Sequence, residues 1–350
     1  MEEKVPLSII YLGRRGGGAK ITSQVSHDLK RSKHFSVSSI CIRSDNELLK
    51  EYDQSSVVRL FDELRSVKTV LRIFQYAFMP KKLLTEVRLT SKGFCLIPMI
   101  SPLGMVVEKI LEMQGITVIR LLHDFERHPG DNWPPNILNR HIVKKSKFLI
   151  ALSNDVADKI VKLNPRMQVS VYPLPTFNFS FSDIELHKST GYLLFIGRIR
   201  RYKGVENLIS AFTKLEIQDK ELIIAGEGKL QVSSNSRIKT INRWLDETEI
   251  TNLIKNAEVV IFPYLEASQS GILPYCVIQN KKVVVTPLIG LLDQVTSYEN
   301  AYITQGFEVD DLVSALNAAI EATAVVRTTV SPVSKNIEAC LLESGFFTKE

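Results

Sequence analysis

Residues 191–204 read Gly-Tyr-Leu-Leu-Phe-Ile-Gly-Arg-Ile-Arg-Arg-Tyr-Lys-Gly, and this stretch decides the fold of the second half of the chain. The apolar run 192–196 predicts a buried strand, the next glycine a tight turn, and the amphipathic stretch 205–215 a helix. A strand, turn and helix in this order bring unpaired N–H groups and the positive end of a helix dipole together. Arg198 and Lys203 add two cations, so the turn favours a phosphate or diphosphate; a charged turn in solvent is the alternative.

The same alternation of short apolar runs and helical patterns continues on both sides of this stretch, which predicts an α/β fold with parallel sheets. In the first half we expect strands at 8–12, 35–42, 94–98, 118–122 and 148–152, and helices at 19–31, 104–114 and 154–163. In the second half we expect strands at 192–196, 221–225, 258–262 and 282–286, and helices at 205–215, 271–279 and 309–322.

The length of 350 residues exceeds what one hydrophobic core usually accommodates, so two domains are expected. Prolines and a loss of periodicity after residue 172 indicate the boundary. We predict an N-terminal domain at 1–172, a linker at 173–190 and a C-terminal domain at 191–330. A tail at 331–350, helical over 334–343, is a candidate for crossing back to the first domain.

Composition excludes several classes of protein. Hydrophobic residues make up 45% and charged residues 23%, which argues against disorder and against a fibre. Four cysteines without metal-ligand spacing indicate buried thiols in a reducing compartment. We find no signal-peptide pattern and no apolar stretch of about 20 residues, so a cytoplasmic location is expected. The net charge of +6 permits nucleic acid, anionic membrane or phosphorylated ligands as partners.

The first loop of the chain is rich in glycine. Gly16, Gly17 and Gly18 lie in the stretch 13–20, directly after the first predicted strand. Consecutive glycines let a ligand approach the backbone closely. The spacing fits neither a dinucleotide fingerprint nor a Walker loop. The loop is interpreted as facing a ligand between the domains, with a plain tight turn as the alternative.

A second polar loop, His-Asp-Phe-Glu-Arg-His-Pro-Gly-Asp at 123–131, follows a predicted strand. It therefore lies at the carboxyl edge of a sheet, where open α/β sheets place their ligands. His123 and His128 flank a carboxylate, but their spacing and the proline argue against a metal site. We favour a sugar or phosphate contact from His123, and a polar loop without chemistry is the alternative.

A third loop, Phe-Pro-Tyr-Leu-Glu-Ala-Ser-Gln-Ser-Gly-Ile-Leu-Pro-Tyr at 262–275, follows the strand predicted at 258–262. Ser270 and Gly271 are expected to begin a helix whose N-terminus can hold an anion. Glu266 is the one carboxylate at this strand exit. The alternative is a capping serine beside a glutamate in solvent.

The segment 65–92 combines seven basic residues with one acidic residue, Glu86. Its apolar residues recur at helical spacing, with Lys68 and Arg72 on an adjacent face. This pattern is typical of a basic helix on an anionic membrane surface. A helix packed into the core with solvated charges is the alternative, and nucleic acid is not favoured because no recognised motif accompanies the charge.

Several motifs in order resemble the large retaining family of GT-B glycosyltransferases, the glycosyl transferases of group 1. They are Gly197-Arg-Ile-Arg-Arg-Tyr-Lys-Gly204, Ile224-Ala-Gly-Glu-Gly228, Phe262–Gly271, Lys282-Val-Val-Val-Thr286, Gly290-Leu-Leu-Asp-Gln-Val295, His123-Asp124, His128-Pro-Gly and Leu152-Ser153. The resemblance implies two Rossmann-like domains facing across an interdomain cleft, with a nucleotide-sugar donor, UDP- or GDP-linked, held mainly by the second domain.

The resemblance also implies roles for single residues. Arg198 and Lys203 match the cationic pair that neutralises the donor diphosphate, so that neither a metal nor another cofactor is expected. His123 matches a histidine that contacts the transferred sugar. The other candidate donor-site residues are Gly16, Gly17, Gly18, Gly197, Gly228, Gln269, Ser270 and Gly271.

One departure from the family pattern concerns the loop at 262–275. Many relatives carry two glutamates around it, the second of which grips the ribose. Here Ala267 and Tyr275 occupy those positions, and Glu266 is displaced by one. We keep Glu266 as a candidate catalytic carboxylate. The Ala-Ser-Gln-Ser-Gly variant resembles a subgroup linked with surface polysaccharide synthesis.

The function expected from the resemblance is therefore a retaining transfer of sugar to a glycan or lipid-linked glycan in cell-surface polysaccharide synthesis. Localisation would be cytoplasmic or peripheral on the inner face of the plasma membrane. Two alternatives stay open. One is a scaffold or binding subunit that keeps the fold with weak or no catalysis, and the other is a sugar-nucleotide epimerase.

Overall fold

A computed structural model describes residues 4–62, 66–90, 93–126, 135–174, 191–217, 219–230, 235–325 and 336–347. These residues form two compact units. The first unit contains the described residues up to 174 together with 336–347, and the second contains 191–325. The predicted linker at 173–190 lies outside the described residues from 175 onward.

The first unit is built on a parallel sheet of seven strands in the order β3-β2-β1-β4-β5-β6-β7. The strands are β1 (Val5–Tyr11), β2 (Phe35–Arg43), β3 (Val57–Phe61), β4 (Phe94–Ile97), β5 (Thr117–Leu122), β6 (Phe148–Ala151) and β7 (Gln168–Val171). The helices between them are α1 (Gly17–Lys30), α2 (Val67–Phe78), α3 (Pro80–Glu86), α4 (Pro102–Met113), α5 (Asn136–Lys145) and α6 (Asn154–Leu163). The central strands are near-continuous apolar runs because helices cover a parallel sheet on both faces.

The second unit repeats this plan with six parallel strands in the order β10-β9-β8-β11-β12-β13. The strands are β8 (Tyr192–Ile196), β9 (Leu222–Ala225), β10 (Ile238–Ile241), β11 (Ala257–Phe262), β12 (Lys282–Val285) and β13 (Ala301–Ile303). The helices are α7 (Val205–Lys214), α8 (Glu247–Asn256), α9 (Leu273–Ile278), α10 (Ile289–Leu292) and α11 (Val309–Glu321), with short 3-10 turns at Arg201–Lys203 and Asp293–Val295.

A last helix, α12 (Ile337–Leu342), belongs to the first unit and packs against α1. The Glu338 carboxylate accepts hydrogen bonds from Ser32 Oγ at 2.7 Å and from the His34 backbone N–H at 3.1 Å. Beyond the helix, Phe347 packs its ring against Phe35, with centroids 4.7 Å apart. Polar and aromatic contacts together hold the C-terminal segment on the N-terminal unit.

Both sheets have the strand order of a doubly wound Rossmann-like unit, and the predicted α/β class is confirmed. In such a sheet the ligand site lies at the carboxyl ends of the strands, near the point where the order reverses. That point lies between β1 and β4 in the first unit and between β8 and β11 in the second. All four cysteines are buried, as expected. In the described part of the chain, no helix is long and apolar enough to cross a membrane.

Candidate active site

The candidate cations of the second unit lie where β8 ends beside β9. The Gly197 N–H donates to the Ala225 carbonyl at 3.0 Å, and the Ile199 N–H donates to the Glu227 carbonyl at 3.0 Å. A Cβ atom at Gly226 would lie 1.9 Å from the Gly197 carbonyl oxygen, so only glycine permits this approach. The two strand exits therefore run side by side and fix the backbone that carries Arg198.

The end of β11 approaches the same turn from the other side. The Leu265 N–H donates to the Tyr202 carbonyl at 2.8 Å. Gly204 has a left-handed backbone with φ of 65°, and a Cβ there would lie 1.9 Å from the Pro263 carbonyl oxygen. Lys203 and the loop after β11 are consequently held against each other by backbone contacts.

Tyr264 is the centre of this arrangement, and the sequence reasoning assigned it no role. The Lys203 ammonium lies 3.4 Å from the centroid of its ring, which is a close cation–π contact. Its hydroxyl lies 3.4 Å from Ser270 Oγ. Burial raises the pKa of Tyr264, while the Ser270 hydroxyl and the Arg198 charge act in the opposite direction. In the sequence, the one indication of such a role is that Tyr264 is an aromatic residue two positions after the strand predicted at 258–262.

The loop at 268–271 is fixed by the side chain of Gln294, for which the sequence predicted no role. Gln294 Oε1 accepts the Ser270 N–H at 2.8 Å, and Gln294 Nε2 donates to the Ser270 carbonyl at 2.9 Å. A Cβ at Gly290 would lie 1.8 Å from the Ser268 carbonyl oxygen. This loop is thus seated on the turn that follows β12. Glu266 is exposed at the start of the loop, and Gln269 and Gly271 are partly exposed within it.

Two features of the site differ from the sequence prediction. The helix expected to begin at Ser270 begins at Leu273, because the backbone of residues 268–271 is held by the β12 turn instead. The backbone amides at Gly197 and Ser270 already donate within the protein, as does that of Gly228, which donates to Asn242 Oδ1 at 3.1 Å. These three amides therefore do not offer a free N–H to an anion.

Tyr275, at the position where relatives carry a ribose-binding glutamate, is buried in α9. Burial raises the pKa of its hydroxyl. The side chain therefore lies inside the second unit. This position therefore lacks the exposed carboxylate that the family pattern implies.

In the first unit, the glycine loop lies beside His123. An added Cβ at Gly17 would meet the His123 Cε1 atom at 3.8 Å and nothing nearer. Gly16 has a φ of 87° and donates its N–H to Glu47 Oε1 at 2.6 Å. A Cβ at Gly18 would lie 2.6 Å from the Tyr11 ring. Packing thus requires Gly18 and backbone conformation requires Gly16, whereas the fold itself leaves Gly17 unconstrained.

His123 is a neutral imidazole at physiological pH. Burial lowers its pKa to about 4, although the nearby Asp124 charge acts to raise it. A neutral ring suits a sugar hydroxyl better than a phosphate, because it contributes no positive charge. The loop is anchored by Asn139 Nδ2, which donates to the carbonyls of Asp124 at 3.1 Å and Phe125 at 3.0 Å. His128 lies outside the described residues.

With this geometry established, residues 190–322 match the family of glycosyl transferases group 1. The matched range lies within the second unit. All the second-unit candidates, from Gly197 to Gly271, lie inside the matched range. No curated protein sequence matches the chain.

Solved structures are similar to this chain over most of its length. HepE of Anabaena, in complex with UDP-glucose, is 13% identical with a TM-score of 0.68, covering 98% of this chain and 95% of its own. The sucrose-phosphate synthase of Thermosynechococcus elongatus is 12% identical with a TM-score of 0.65, covering 90% and 89%. The lipopolysaccharide outer core galactosyltransferase WaaB is 15% identical with a TM-score of 0.61, covering 91% and 90%.

The structural neighbours are GT-B enzymes, and the fold predicted from the motifs is confirmed. The family match and these neighbours together support a glycosyltransferase. Within the described residues, no cluster of three or more His, Cys, Asp or Glu side chains could hold a metal ion. The roles of individual residues are predictions from the sequence.

Proposed function

We propose that this chain transfers a sugar from a nucleotide-sugar donor to a hydroxyl group of a glycan or lipid-linked glycan, with retention of anomeric configuration. One observation carries the proposal. Arg198 and Lys203 lie at the carboxyl edge of the sheet of the second unit, on a turn fixed by β9 on one side and by the β11 exit on the other. Two cations at fixed positions suit a diphosphate better than a neutral ligand.

The proposed donor carries uridine diphosphate, with guanosine diphosphate as the second choice. HepE was crystallised with UDP and with UDP-glucose, which supports a nucleotide-sugar donor for a similar fold. Arg198 and Lys203 would neutralise the diphosphate, so the proposed reaction uses neither a metal ion nor another cofactor. Gly197, Gly228, Gln269, Ser270 and Gly271 would line the donor, while Gly16, Gly17 and Gly18 with His123 would contact the sugar.

In the proposed reaction the acceptor oxygen attacks the anomeric carbon from the same face as the leaving group. The bond from that carbon to the diphosphate breaks, the bond to the acceptor oxygen forms, and the acceptor proton passes to a diphosphate oxygen. Charge therefore develops on the nucleoside diphosphate, where fixed cations lower the barrier. No protein nucleophile is required, and Glu266 at the β11 exit is the proposed catalytic carboxylate of the site.

The proposed biological role is cell-surface polysaccharide synthesis, such as O-antigen, capsule or exopolysaccharide. Similarity to WaaB, whose name assigns it to the lipopolysaccharide outer core, supports this class of acceptor. The Ala-Ser-Gln-Ser-Gly sequence of residues 267–271 supports it as well through the subgroup that it resembles. The enzyme would work on the cytoplasmic side, with nucleic acid excluded as a partner.

Replacement of the two cations tests the proposal. We expect Arg198→Ala and Lys203→Ala each to lower turnover by about 10²–10³, the usual cost of removing one transition-state stabilising group. Turnover is measured as nucleoside diphosphate release from UDP- and GDP-sugars with glycan and lipid-linked acceptors. Arg201→Ala is the matched control, because Arg201 is exposed on the same turn.

Unchanged turnover at saturating donor in both variants would contradict the assignment. Nucleotide binding without consumption of any donor would instead favour a scaffold or binding subunit, the alternative that the buried Tyr275 motivates. Consumption of the donor sugar nucleotide without an acceptor, giving an isomerised sugar nucleotide, would favour an epimerase.

A further inference from the structure

The helix α2 exposes an apolar face that the fold of the first unit does not use. Val67, Leu71, Phe74 and Phe78 expose 73%, 63%, 58% and 83% of their surface, and Val70 exposes 47%. Large apolar side chains are rarely so exposed in a continuous group on a protein that stays in water. We call this group the α2 apolar face. These five side chains are therefore not packed into the core of the first unit.

The helix nevertheless packs on the first unit, through its opposite side. At about 100° per residue, the five apolar residues fall within about 100° of one another, and Tyr76 lies on the far side of the helix. Thr69 and Tyr76 are buried, and Ile73 packs against the core cluster that contains Leu103. The helix is thus held in place by one face while the α2 apolar face points outward.

Positive charge borders this face. Lys68 lies on the flank of α2 and Lys81 at the start of α3, and both are exposed. Glu86, the one acidic residue between Arg65 and Lys92, accepts the Tyr76 hydroxyl at 2.6 Å and lies 3.4 Å from Arg72. The carboxylate is thereby directed toward the packed side of the helix. Over the described residues 66–90, the outward side presents apolar groups and cations, and the single carboxylate of this segment, Glu86, is engaged with Tyr76 and Arg72.

We propose that α2 and the start of α3 dock on the surface of an anionic lipid bilayer, with the α2 apolar face in the headgroup and acyl boundary. Phe74 and Phe78 would enter that boundary, and Lys68 and Lys81 would contact the lipid phosphates. An apolar stripe bordered by lysines on a short helix suits interfacial binding, because burial and charge attraction act together. The helix is too short to span a bilayer. Docking does not depend on the proposed transfer reaction.

Arg88 does not belong to this surface, although the sequence pattern grouped it with the other cations. Its backbone has a φ of 54°, and its guanidinium donates to the carbonyls of Ser38 at 3.3 Å and Ser55 at 3.0 Å. It therefore ties the end of α3 to the sheet. A test of the membrane surface must leave Arg88 intact, because its replacement would disturb the fold.

Sedimentation with vesicles tests the proposal on the full chain. We expect binding to vesicles of equal parts phosphatidylcholine and phosphatidylglycerol, and weaker binding to pure phosphatidylcholine. Phe74→Ser/Phe78→Ser and Lys68→Glu/Lys81→Glu should each weaken binding about tenfold or more. The matched controls are Met113→Ser/Ile137→Ser and Lys144→Glu/Lys145→Glu, which change equally exposed apolar or basic residues elsewhere in the first unit.

Each replaced side chain is exposed, so circular dichroism and the melting temperature should stay unchanged and confirm folding. Equal binding by the wild type and both α2 variants would overturn the proposal, as would equal loss in the controls. Light scattering that shows a dimer of the wild type, lost in Phe74→Ser/Phe78→Ser without any vesicle binding, would also overturn it and identify a self-association surface. Because sedimentation needs no turnover, failure here leaves the proposed function unaffected.

Discussion

Gly17 is a single residue whose identity the fold of the first unit does not explain. The neighbouring glycines are explained, since Gly18 lies against the Tyr11 ring and Gly16 has a positive φ. At Gly17 a Cβ would meet His123 Cε1 at an ordinary contact distance of 3.8 Å. A glycine that packing does not require, placed beside a neutral histidine at a sheet edge, is consistent with close approach of a substrate to the backbone.

This contrast predicts different results for two conservative substitutions. Gly17→Ala should leave the free energy of unfolding unchanged or slightly raised, because alanine favours a helix start that glycine does not. It should lower turnover by about 10–10²-fold, since a methyl group would displace a substrate that contacts the loop. Gly18→Ala should instead lower stability, because the Tyr11 ring must move. Urea unfolding and donor consumption measure the two effects.

If Gly17→Ala retained full turnover, the glycine loop would be a plain strand–helix turn. A loss of stability equal to that of Gly18→Ala would contradict the packing argument instead.

At the scale of elements, the sequence predicted the central strands well and the edge strands poorly. The strands at 192–196 and 258–262 are continuous apolar runs because both of their faces are covered, and such runs stand out. The edge strand β10 reads Ile-Lys-Thr-Ile with two exposed residues, and β7 begins with an exposed glutamine. Half-covered strands of four residues carry too few apolar side chains to be recognised by pattern alone.

The candidate site shows the same division. Arg198 and Lys203 could be found because charged residues after an apolar run are visible in the sequence. Tyr264 and Gln294 could not, since their importance comes from contacts with Lys203 and with Ser270 across different strand exits. The period of α2 was equally visible, but which face packs depends on the groups that α3 and β3 present. Long-range contacts of this kind are not encoded in local spacing.

The attachment of the C-terminal helix α12 should depend on the charge of Glu338. Burial acts to raise the pKa of Glu338, but hydrogen bonds from Ser32 and His34 lower it on balance. A carboxylate with a lowered pKa stabilises the folded state above its unfolded pKa, and this contribution is lost as the pH falls through the folded value. Glu338→Gln should therefore lower the free energy of unfolding by about 1–3 kcal/mol at pH 7.

Urea unfolding at several pH values checks this, and the difference between wild type and variant should shrink on acidification below the ordinary glutamate pKa of 4.5. Glu321→Gln is the control, because Glu321 is exposed at the end of α11, and it should change stability by about 0.5 kcal/mol at most. A pH-independent difference for Glu338→Gln would show that packing rather than charge holds the helix.

At the scale of the whole molecule, the two units have the same strand order but different chemistry at their sheet edges. The second unit presents Arg198 and Lys203 beside Tyr264, whereas the first presents neutral His123 beside the glycine loop. Cations suit the diphosphate of a donor, and a neutral imidazole suits sugar hydroxyls. We therefore expect a nucleoside diphosphate that lacks the sugar to bind to the second unit.

Hydrogen exchange of the full chain, with and without UDP, tests this division. At 100 times the dissociation constant, a ligand stabilises the state that binds it by about 2.7 kcal/mol. The exchange rate of amides that exchange only after the ligand is released should therefore fall by about 100-fold. We expect this protection at 197–204 and 263–271. Residues 117–122 and the tail at 337–342 should exchange unchanged, because nothing there interacts with the nucleotide.

GDP and ADP serve as the comparison for the base, and Arg198→Ala/Lys203→Ala as the control for the diphosphate. Loss of protection in that double variant, with the free energy of unfolding unchanged, would attribute binding to the two cations. Protection that persisted in the variant would mean that backbone groups hold the diphosphate, against the finding that the amides of Gly197 and Ser270 already donate within the protein. Protection confined to the first unit would exclude the second unit as the donor site, because the nucleotide would then bind without touching either cation.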